Sequence, residues 1–187
     1  MANQTPCQEF FTWWIMAAMD VVMISGTVGV GKTTVAAALR NELLARGRAA
    51  GELDVDAVAN ETPAPPDDPF NERVVVDHLR AMRPHWRDAG LEVLILPRVV
   101  ETAAQRDAYA DALGEAVRVV RLDAPADARH ARLVARHDPG PERDWHLART
   151  DVLADLLVTA GVEDAVVSNV GRAPSTVASE IADLLGF

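Results

Sequence analysis

The chain has 187 residues, of which 49% are hydrophobic, so it is long enough for one globular domain with a sizeable buried core. Its single cysteine, Cys7, excludes an intramolecular disulfide and any cysteine-rich zinc module. The formal net charge of −10 argues against a nucleic-acid-binding protein, and only one of the 18 basic residues is a lysine, Lys32.

The N-terminal stretch 1–18 differs in composition from the rest of the chain. It contains most of an apolar run, 10–19, that is too short to span a bilayer. A signal peptide would have basic residues before such a run, and this stretch has none. We expect residues 1–18 to form a disordered or surface-packed extension, and the alternative is that translation starts at Met19. The domain is predicted over 19–187, in the cytoplasm and without a membrane partner.

Short apolar runs alternate with helical patterns along the remainder. Strands are predicted at 21–24, 52–56, 91–96, 117–122 and 165–167, and helices at 32–46, from Asn71 past Trp86, and at 103–113, 126–136, 144–159 and 175–185. We expect Asn71 to cap its helix and Pro84 to kink or split it. The strand runs are apolar rather than alternating, which is typical of a parallel sheet covered on both faces. The fold class is therefore α/β, with a five-stranded parallel sheet between helices.

Two helical stripes are predicted to face the core. One contains Val75, Leu79, Met82 and Trp86, and the other Trp145, Ala148, Val152 and Leu156. The histidines at 78, 130, 137 and 146 show no metal-like spacing, and we interpret them as surface or packing residues.

The segment from Gly26 to Thr33 matches the pattern Gly-x4-Gly-Lys-[Ser/Thr] between the first strand and the first helix. Glycines allow consecutive N–H groups to curl around one phosphate, and the helix N-terminus adds positive potential. Lys32 would reach the β- and γ-phosphates, and the Thr33 hydroxyl would bind Mg²⁺. The predicted nucleotide-binding residues are Gly26, Thr27, Val28, Gly29, Val30, Gly31, Lys32, Thr33 and Thr34.

From residue 19 to 187 the chain resembles the small P-loop kinases, a group that includes adenylylsulfate, gluconate and shikimate kinases and chloramphenicol phosphotransferase. Beyond the P-loop, the similar segments are Asp54-Val-Asp56, Asn71-x-Arg73, Asp88-Ala-Gly90, Pro97-Arg98, the arginines after Asp123-Ala-Pro, and Gly171-Arg-Ala-Pro174. The chain lacks a Walker-B aspartate after its third strand and the Lys/Gly-rich lid of adenylylsulfate kinase. The resemblance implies a three-layer P-loop fold, a lid at about 125–145, and phosphoryl transfer that uses ATP and Mg²⁺.

The resemblance also implies roles for individual residues. Asp56 would accept the acceptor proton and Asp54 would lie near the metal with Thr33, although which aspartate is the base stays open. Arg132 or Arg136 would clamp the transferring phosphate, with Lys32 completing the catalytic set. Arg129 and Arg172 would contact the nucleotide, and Arg73 and Arg98 would contact the acceptor beside Asp56. Lesser candidates are Glu101 at the acceptor and Arg143 and Arg149 over the nucleotide.

Three functions remain open at this stage. The first is a kinase that transfers the γ-phosphate of ATP to a small-molecule hydroxyl or phosphate. The second is a nucleoside monophosphate kinase, whose acceptor site would use several of Arg73, Arg80, Arg83, Arg87 and Arg98. The third is a nucleotide-binding accessory protein with little transfer activity. The sequence does not indicate the acceptor or the oligomeric state.

Overall fold

The computed structural model describes residues 18–187, so the predicted N-terminal extension, apart from Ala18, lies outside the described residues. The strands are β1 (Asp20–Ser25), β2 (Ala50–Glu52), β3 (Val93–Pro97), β4 (Val117–Asp123) and β5 (Ala165–Ser168). The helices are α1 (Lys32–Ala45), α2 (Val55–Ala59), α3 (Glu72–Asp88), α4 (Ala103–Leu113), α5 (Ala126–Arg136), α6 (Pro141–Ala160) and α7 (Pro174–Leu184). In this range no helix is long and apolar enough to cross a membrane.

The strands form one parallel sheet in the order β2-β3-β1-β4-β5, which confirms the predicted five-stranded α/β architecture. Strand β1 lies at the centre, where Val22 is paired with Ile95 of β3 and Arg118 of β4. Because all the strands run in one direction, their carboxyl ends meet at one edge. Open α/β sheets bind ligands at that edge.

Successive residues of β1 point to opposite faces of the sheet and enter two separate cores. Val22 and Ile24 pack with residues of α1 and α7, and Val21 and Met23 pack with residues of α3 and α4. All four side chains are fully buried. Burial of each is worth about 1.5–3 kcal/mol. Packing on both faces of the sheet therefore fixes the position of β1 and of the loop that follows it.

The region after β2 differs from the prediction, which extended the second strand to Asp56. The strand ends at Glu52, and α2 begins at Val55. Asp54 causes this change, because its side chain accepts a hydrogen bond from the Asp56 amide at 3.0 Å and caps the new helix. Both aspartates therefore lie at a helix start rather than on a strand.

Helix α3 differs from the prediction in two respects, the split expected at Pro84 and the residue that caps its start. It continues through Pro84 without splitting, because Pro84 and Arg80, whose carbonyl the proline leaves unpaired, both lie on the exposed side. Asn71 does not cap the helix with its side chain. Asp68 does so instead, since its carboxylate accepts from the amides of Glu72 at 2.9 Å and Arg73 at 3.1 Å.

The predicted buried faces of α3 and α6 are wrong in part. On α3, Val75 and Leu79 are buried and Trp86 is half-buried, but Met82 is exposed. On α6, Trp145 and Val152 are more than half exposed, and the buried residues are Thr150, Leu153 and Leu157. The buried face of α6 thus includes a polar residue, Thr150, where an apolar residue was expected. For this reason the apolar stripe in the sequence indicated the wrong side of the helix.

Candidate active site

The loop that follows β1 has a backbone that requires glycine. Gly26 has φ +135°, and a Cβ atom there would lie 2.7 Å from the carbonyl oxygen of Leu122 on β4. Gly31, with φ +100°, precedes the first residue of α1, Lys32. The first amides of a helix have no partner within the helix, so this loop presents N–H donors at a site of positive potential. Such a site can bind a phosphate.

Side chains from three later elements bind the carbonyl groups of this loop. Thr150 of α6 donates from Oγ1 to Val28 O at 2.8 Å. Arg132 of α5 and Asn169, which follows β5, both donate to Val30 O, at 2.9 and 2.7 Å. Because these contacts bind the carbonyl oxygens, they fix the orientation of the loop's peptide groups. Arg132 therefore has a structural contact with the P-loop that the sequence prediction did not include.

Lys32 is partly buried beside the loop. Its ammonium group donates to the carbonyl oxygens of Gly26 at 3.1 Å and Thr27 at 3.0 Å. Burial lowers the pKa of Lys32 to about 8, with Arg98 and Arg136 acting in the same direction and Asp56 and Asp54 opposing it. The single lysine of the chain therefore titrates close to physiological pH.

A cleft of about 770 Å³ opens beside this loop at the carboxyl edge of the sheet. Its walls include the loop, the start of α1, the start of α2, the segment after β3, and parts of α5 and α6. Of the predicted site residues, those that line the cleft are Val28, Gly29, Gly31, Lys32, Thr33, Thr34, Asp54, Asp56, Arg98, Arg132 and Arg136. The volume is in the range of small-molecule sites, and one cavity brings together most of the predicted set.

A chain of charged and polar groups runs from this cleft into the core. Arg98, whose side chain is only 8% exposed, pairs with the exposed Asp56 and with the more buried Glu72, whose Oε1 lies 2.5 Å from Nη2 of Arg98. The same guanidinium donates to the Phe70 carbonyl at 2.9 Å, and the Tyr109 hydroxyl donates to Glu72 Oε2 at 2.6 Å. Arg98 is thus held by two carboxylates that both line the cleft, the exposed Asp56 and the more buried Glu72.

The ionisation of this network follows from its burial. Burial alone would lower the pKa of Arg98, but Glu72, Tyr109 and Asp56 together outweigh it and raise that pKa above its ordinary value. Burial and then Glu72 raise the pKa of the Tyr109 hydroxyl far above its usual range, so Tyr109 stays a donor. Sequence reasoning missed Glu72 and Tyr109, because nothing in their local pattern indicates a partner 26 or 37 residues away.

The remaining arginines are placed differently from one another. Arg136 lines the cleft and has no hydrogen bond or ion pair within residues 18–187. Arg149 lines it too, paired with Glu101 and lying 5.2 Å from the ring centroid of Phe70. Arg143, which flanks Trp145 in the sequence, is not among the cleft-lining residues.

Three arginines predicted to contact ligands do not line the cleft. Arg129 is buried and donates to the Ala124 carbonyl at 2.6 Å. Arg172 pairs with Glu180 of α7, and Arg73 is exposed and pairs with Asp67 at 2.9 Å. The hydrogen-bond or ion-pair partner of each of these guanidinium groups likewise lies outside the cleft lining.

The prediction that the histidines show no metal-like grouping is wrong for two of them. His137 and His146 lie together with Glu142 at the α5–α6 junction, and the three line the cleft. The sequence signal was the i, i+4 spacing of Glu142 and His146, which places them on one side of a helix. His78 and His130 match the interpretation as surface residues.

Thr33 and Asp54 fit a magnesium ion. Both line the cleft, and both offer the oxygen ligands that Mg²⁺ prefers. Asp54 uses Oδ1 to cap α2, and its second oxygen has no hydrogen-bond partner among residues 18–187. The donor set therefore suits the cofactor that the sequence implied.

Fold and cleft together define the class of structure: the chain has the fold of the small P-loop kinases. The family model described as adenylylsulphate kinase matches residues 18–82, from the start of β1 into α3. This match and the structural neighbours confirm the resemblance to this group of kinases. No curated protein matches the sequence.

Three solved structures illustrate the likeness. The tunicamycin resistance protein of Deinococcus radiodurans is 22% identical, with a TM-score of 0.62 over 90% of this chain and 96% of that one. Shikimate kinase from Acinetobacter baumannii, solved with shikimate, is 18% identical, with a TM-score of 0.61 over 91% and 94%. The adenylylsulfate kinase of Mycobacterium tuberculosis, solved with AMPPNP and APS, is 20% identical, with a TM-score of 0.58 over 91% and 99%. These likenesses establish the fold.

Proposed function

We propose that this protein is an ATP- and Mg²⁺-dependent kinase that transfers the γ-phosphate to a hydroxyl or phosphate of a small molecule. The main supporting observation is that Lys32 of the P-loop and the Asp56–Arg98 pair line one cleft. A phosphate-binding loop alone would suit any nucleotide-binding protein. A carboxylate held opposite that loop adds a group that can activate a second substrate.

Each residue has a role in the proposed transfer. The carboxylate of Asp56 takes the proton of the acceptor hydroxyl, whose oxygen forms a bond to the γ-phosphorus while the bond from that phosphorus to the bridging oxygen of ADP breaks. Lys32 and Arg136 neutralise the charge that develops on the transferred group. Thr33 and Asp54 would hold Mg²⁺, which when bound supplies further charge neutralisation.

The surroundings of Arg98 favour an acceptor that is polar rather than strongly anionic. Arg98 already has two carboxylate partners, and Arg149 is paired with Glu101. Of the five arginines considered for a nucleoside monophosphate, only Arg98 lines the cleft among the described residues. Arg73 and Arg80 have exposed local partners, and Arg87 pairs with Glu115. We therefore prefer a hydroxylated acceptor over a nucleoside monophosphate.

A panel assay tests the proposal. The full chain is incubated with ATP, Mg²⁺ and each of a set of hydroxylated metabolites, antibiotics, nucleosides and nucleoside monophosphates, and ADP release is compared with and without acceptor. We expect one acceptor class to raise ADP release well above background, and Lys32→Ala to abolish that rise. Arg40→Ala, an exposed change on α1, is the matched control.

Two outcomes would overturn the kinase proposal. One is tight ATP binding in calorimetry without acceptor-stimulated ADP release from any compound, which would support a nucleotide-binding accessory protein. The other is acceptor-dependent turnover that survives Lys32→Ala, which would place the chemistry outside the P-loop.

A further inference from the structure

Two histidines and a glutamate converge where α5 meets α6. His137 caps the C-terminus of α5 directly after Arg136, and Glu142 and His146 lie one turn apart at the start of α6. Their donor atoms all lie within 4.8 Å of one another. The proposed phosphoryl transfer uses none of these three side chains, so the cluster needs another explanation.

The separations within the cluster match those of ligands around one metal ion. His137 Nδ1 lies 3.3 Å from Glu142 Oε1, and His146 Nε2 lies 3.7 Å from the same oxygen. Nitrogen and oxygen ligands at about 2.0–2.1 Å from a tetrahedral zinc ion are separated by about 3.3–3.4 Å. The two imidazole rings are tilted, with centroids 4.4 Å apart. Small side-chain rotations would place all three donor atoms around one ion.

We propose that His137, Glu142 and His146 bind a divalent transition metal, with Zn²⁺ as the ion that the ligand set suits best. Two imidazoles and one carboxylate form a ligand set known for zinc, whereas Mg²⁺ requires oxygen ligands. All three residues line the cleft, so an ion bound to them would lie at its wall. The site is separate from the proposed magnesium site at Thr33 and Asp54, and it does not depend on kinase activity.

A metal at this position would link two helices that both bind the P-loop. Arg132 of α5 and Thr150 of α6 hold the carbonyl groups of Val30 and Val28. The ion would span the loop 138–140 and join the end of one of these helices to the start of the other. Metal binding would therefore stiffen the wall of the cleft.

Two features limit the affinity that we expect. Arg136 adjoins the cluster, and its charge opposes a bound cation. The Nδ1 atom of His146 is buried and has no hydrogen-bond partner among residues 18–187, although zinc-binding imidazoles usually donate from the second nitrogen to a carboxylate or carbonyl. We accordingly expect dissociation constants in the micromolar range.

Spectroscopic titration with Co²⁺ tests the site. The probe is Co²⁺ alone, added to tag-free, chelator-treated Cys7→Ser protein in excess Mg²⁺, followed by displacement with Zn²⁺. We expect one equivalent per chain, with the intense visible absorption of four-coordinate Co²⁺ that Zn²⁺ abolishes. Glu142→Gln and His146→Ala should each weaken binding at least tenfold, and His130→Ala, a histidine outside the cluster, should not.

The same proteins give a second readout. Zn²⁺ should raise the melting temperature of the parent protein and of His130→Ala, but not that of Glu142→Gln, because binding to the folded state stabilises it. Glu142 is 76% exposed, so its replacement should leave the fold intact without metal. Unchanged Co²⁺ binding in Glu142→Gln, or an absorption spectrum of six-coordinate Co²⁺ only, would overturn the proposal.

Discussion

The buried guanidinium of Arg98 donates to the exposed carboxylate of Asp56 at the inner wall of the cleft. The side chain of Arg98 is 8% exposed and that of Asp56 is 59% exposed, so the cation is fixed while the anion faces the cavity. Only Oδ1 of Asp56 is in contact with Arg98. The other oxygen has no hydrogen-bond partner among residues 18–187, so it is available for the general-base role that we propose.

Asp56→Asn should impair transfer far more than nucleotide binding. The amide keeps the shape of the side chain but cannot take a proton, so we expect kcat to fall by about 10²–10⁴. The dissociation constant of an unreactive ATP analogue, measured by calorimetry, should stay close to that of the parent protein. Asp54→Asn is the companion variant, and its main effect should be a weaker affinity for Mg²⁺. Equal losses of binding and turnover in Asp56→Asn would indicate a structural role for Asp56.

Glu72→Gln should destabilise the fold. The change removes the inner partner of Arg98 and leaves a buried cation that only Asp56 balances, and breaking a buried ion pair in this way costs about 3–5 kcal/mol. Urea denaturation measures the loss. Asp67→Asn is the control, because its pair with Arg73 is exposed and worth about 0–1 kcal/mol. If the two variants lost equal stability, the buried network would not contribute as we infer.

Thr150→Val should loosen the P-loop from α6. Valine has nearly the same shape, but it leaves the Val28 carbonyl without the hydroxyl donor that lies 2.8 Å away. We expect a loss of about 1–3 kcal/mol in stability and a higher KM for ATP. Thr159→Val, an exposed threonine on the same helix that bonds Asp155 O, should change neither quantity. A normal KM for ATP in Thr150→Val would show that this contact does not shape the nucleotide site.

The parts of the site that follow directly from local sequence were predictable. The apolar run before Gly26 and the helical pattern after Lys32 set a strand, a glycine turn and a helix in order, and that order defines the P-loop. The parallel sheet followed from strands without alternation. Arg98 was predicted near the ligand edge because it follows a buried strand.

Contacts between distant segments were not predictable in the same way. Glu72 binds Arg98 only because α3 packs beside the end of β3, and neither residue's neighbours carry a sign of the other. Asp54 shows a different limit. Its position between two predicted helices favoured a strand over 52–56, but its side chain accepts a hydrogen bond from the Asp56 amide and caps a helix. The arginines at 129, 132 and 136 share one helical stripe, yet Arg129 binds the Ala124 carbonyl while Arg132 and Arg136 line the cleft, because tertiary neighbours decide which of them reach it.

ATP binding should weaken as the pH rises through about 8. The ammonium of Lys32, whose pKa burial lowers to about 8, is charged below that value and neutral above it. The nearby charges that act on this pKa are those of Asp56, Arg98, Asp54 and Arg136. A bound polyphosphate favours the charged amine, so above pH 8 the dissociation constant should rise towards about tenfold per pH unit.

Calorimetric titration of an ATP analogue between pH 6.5 and 10 measures this dependence. The phosphate groups of ATP are fully ionised over the upper part of the range, so the inflection there reports on the protein. Lys32→Met is the control, because it should bind more weakly at low pH and show no inflection near 8. An inflection that persists in Lys32→Met, or one that in the parent protein falls near the ordinary lysine value of 10.5, would contradict the buried environment that we assign to this side chain.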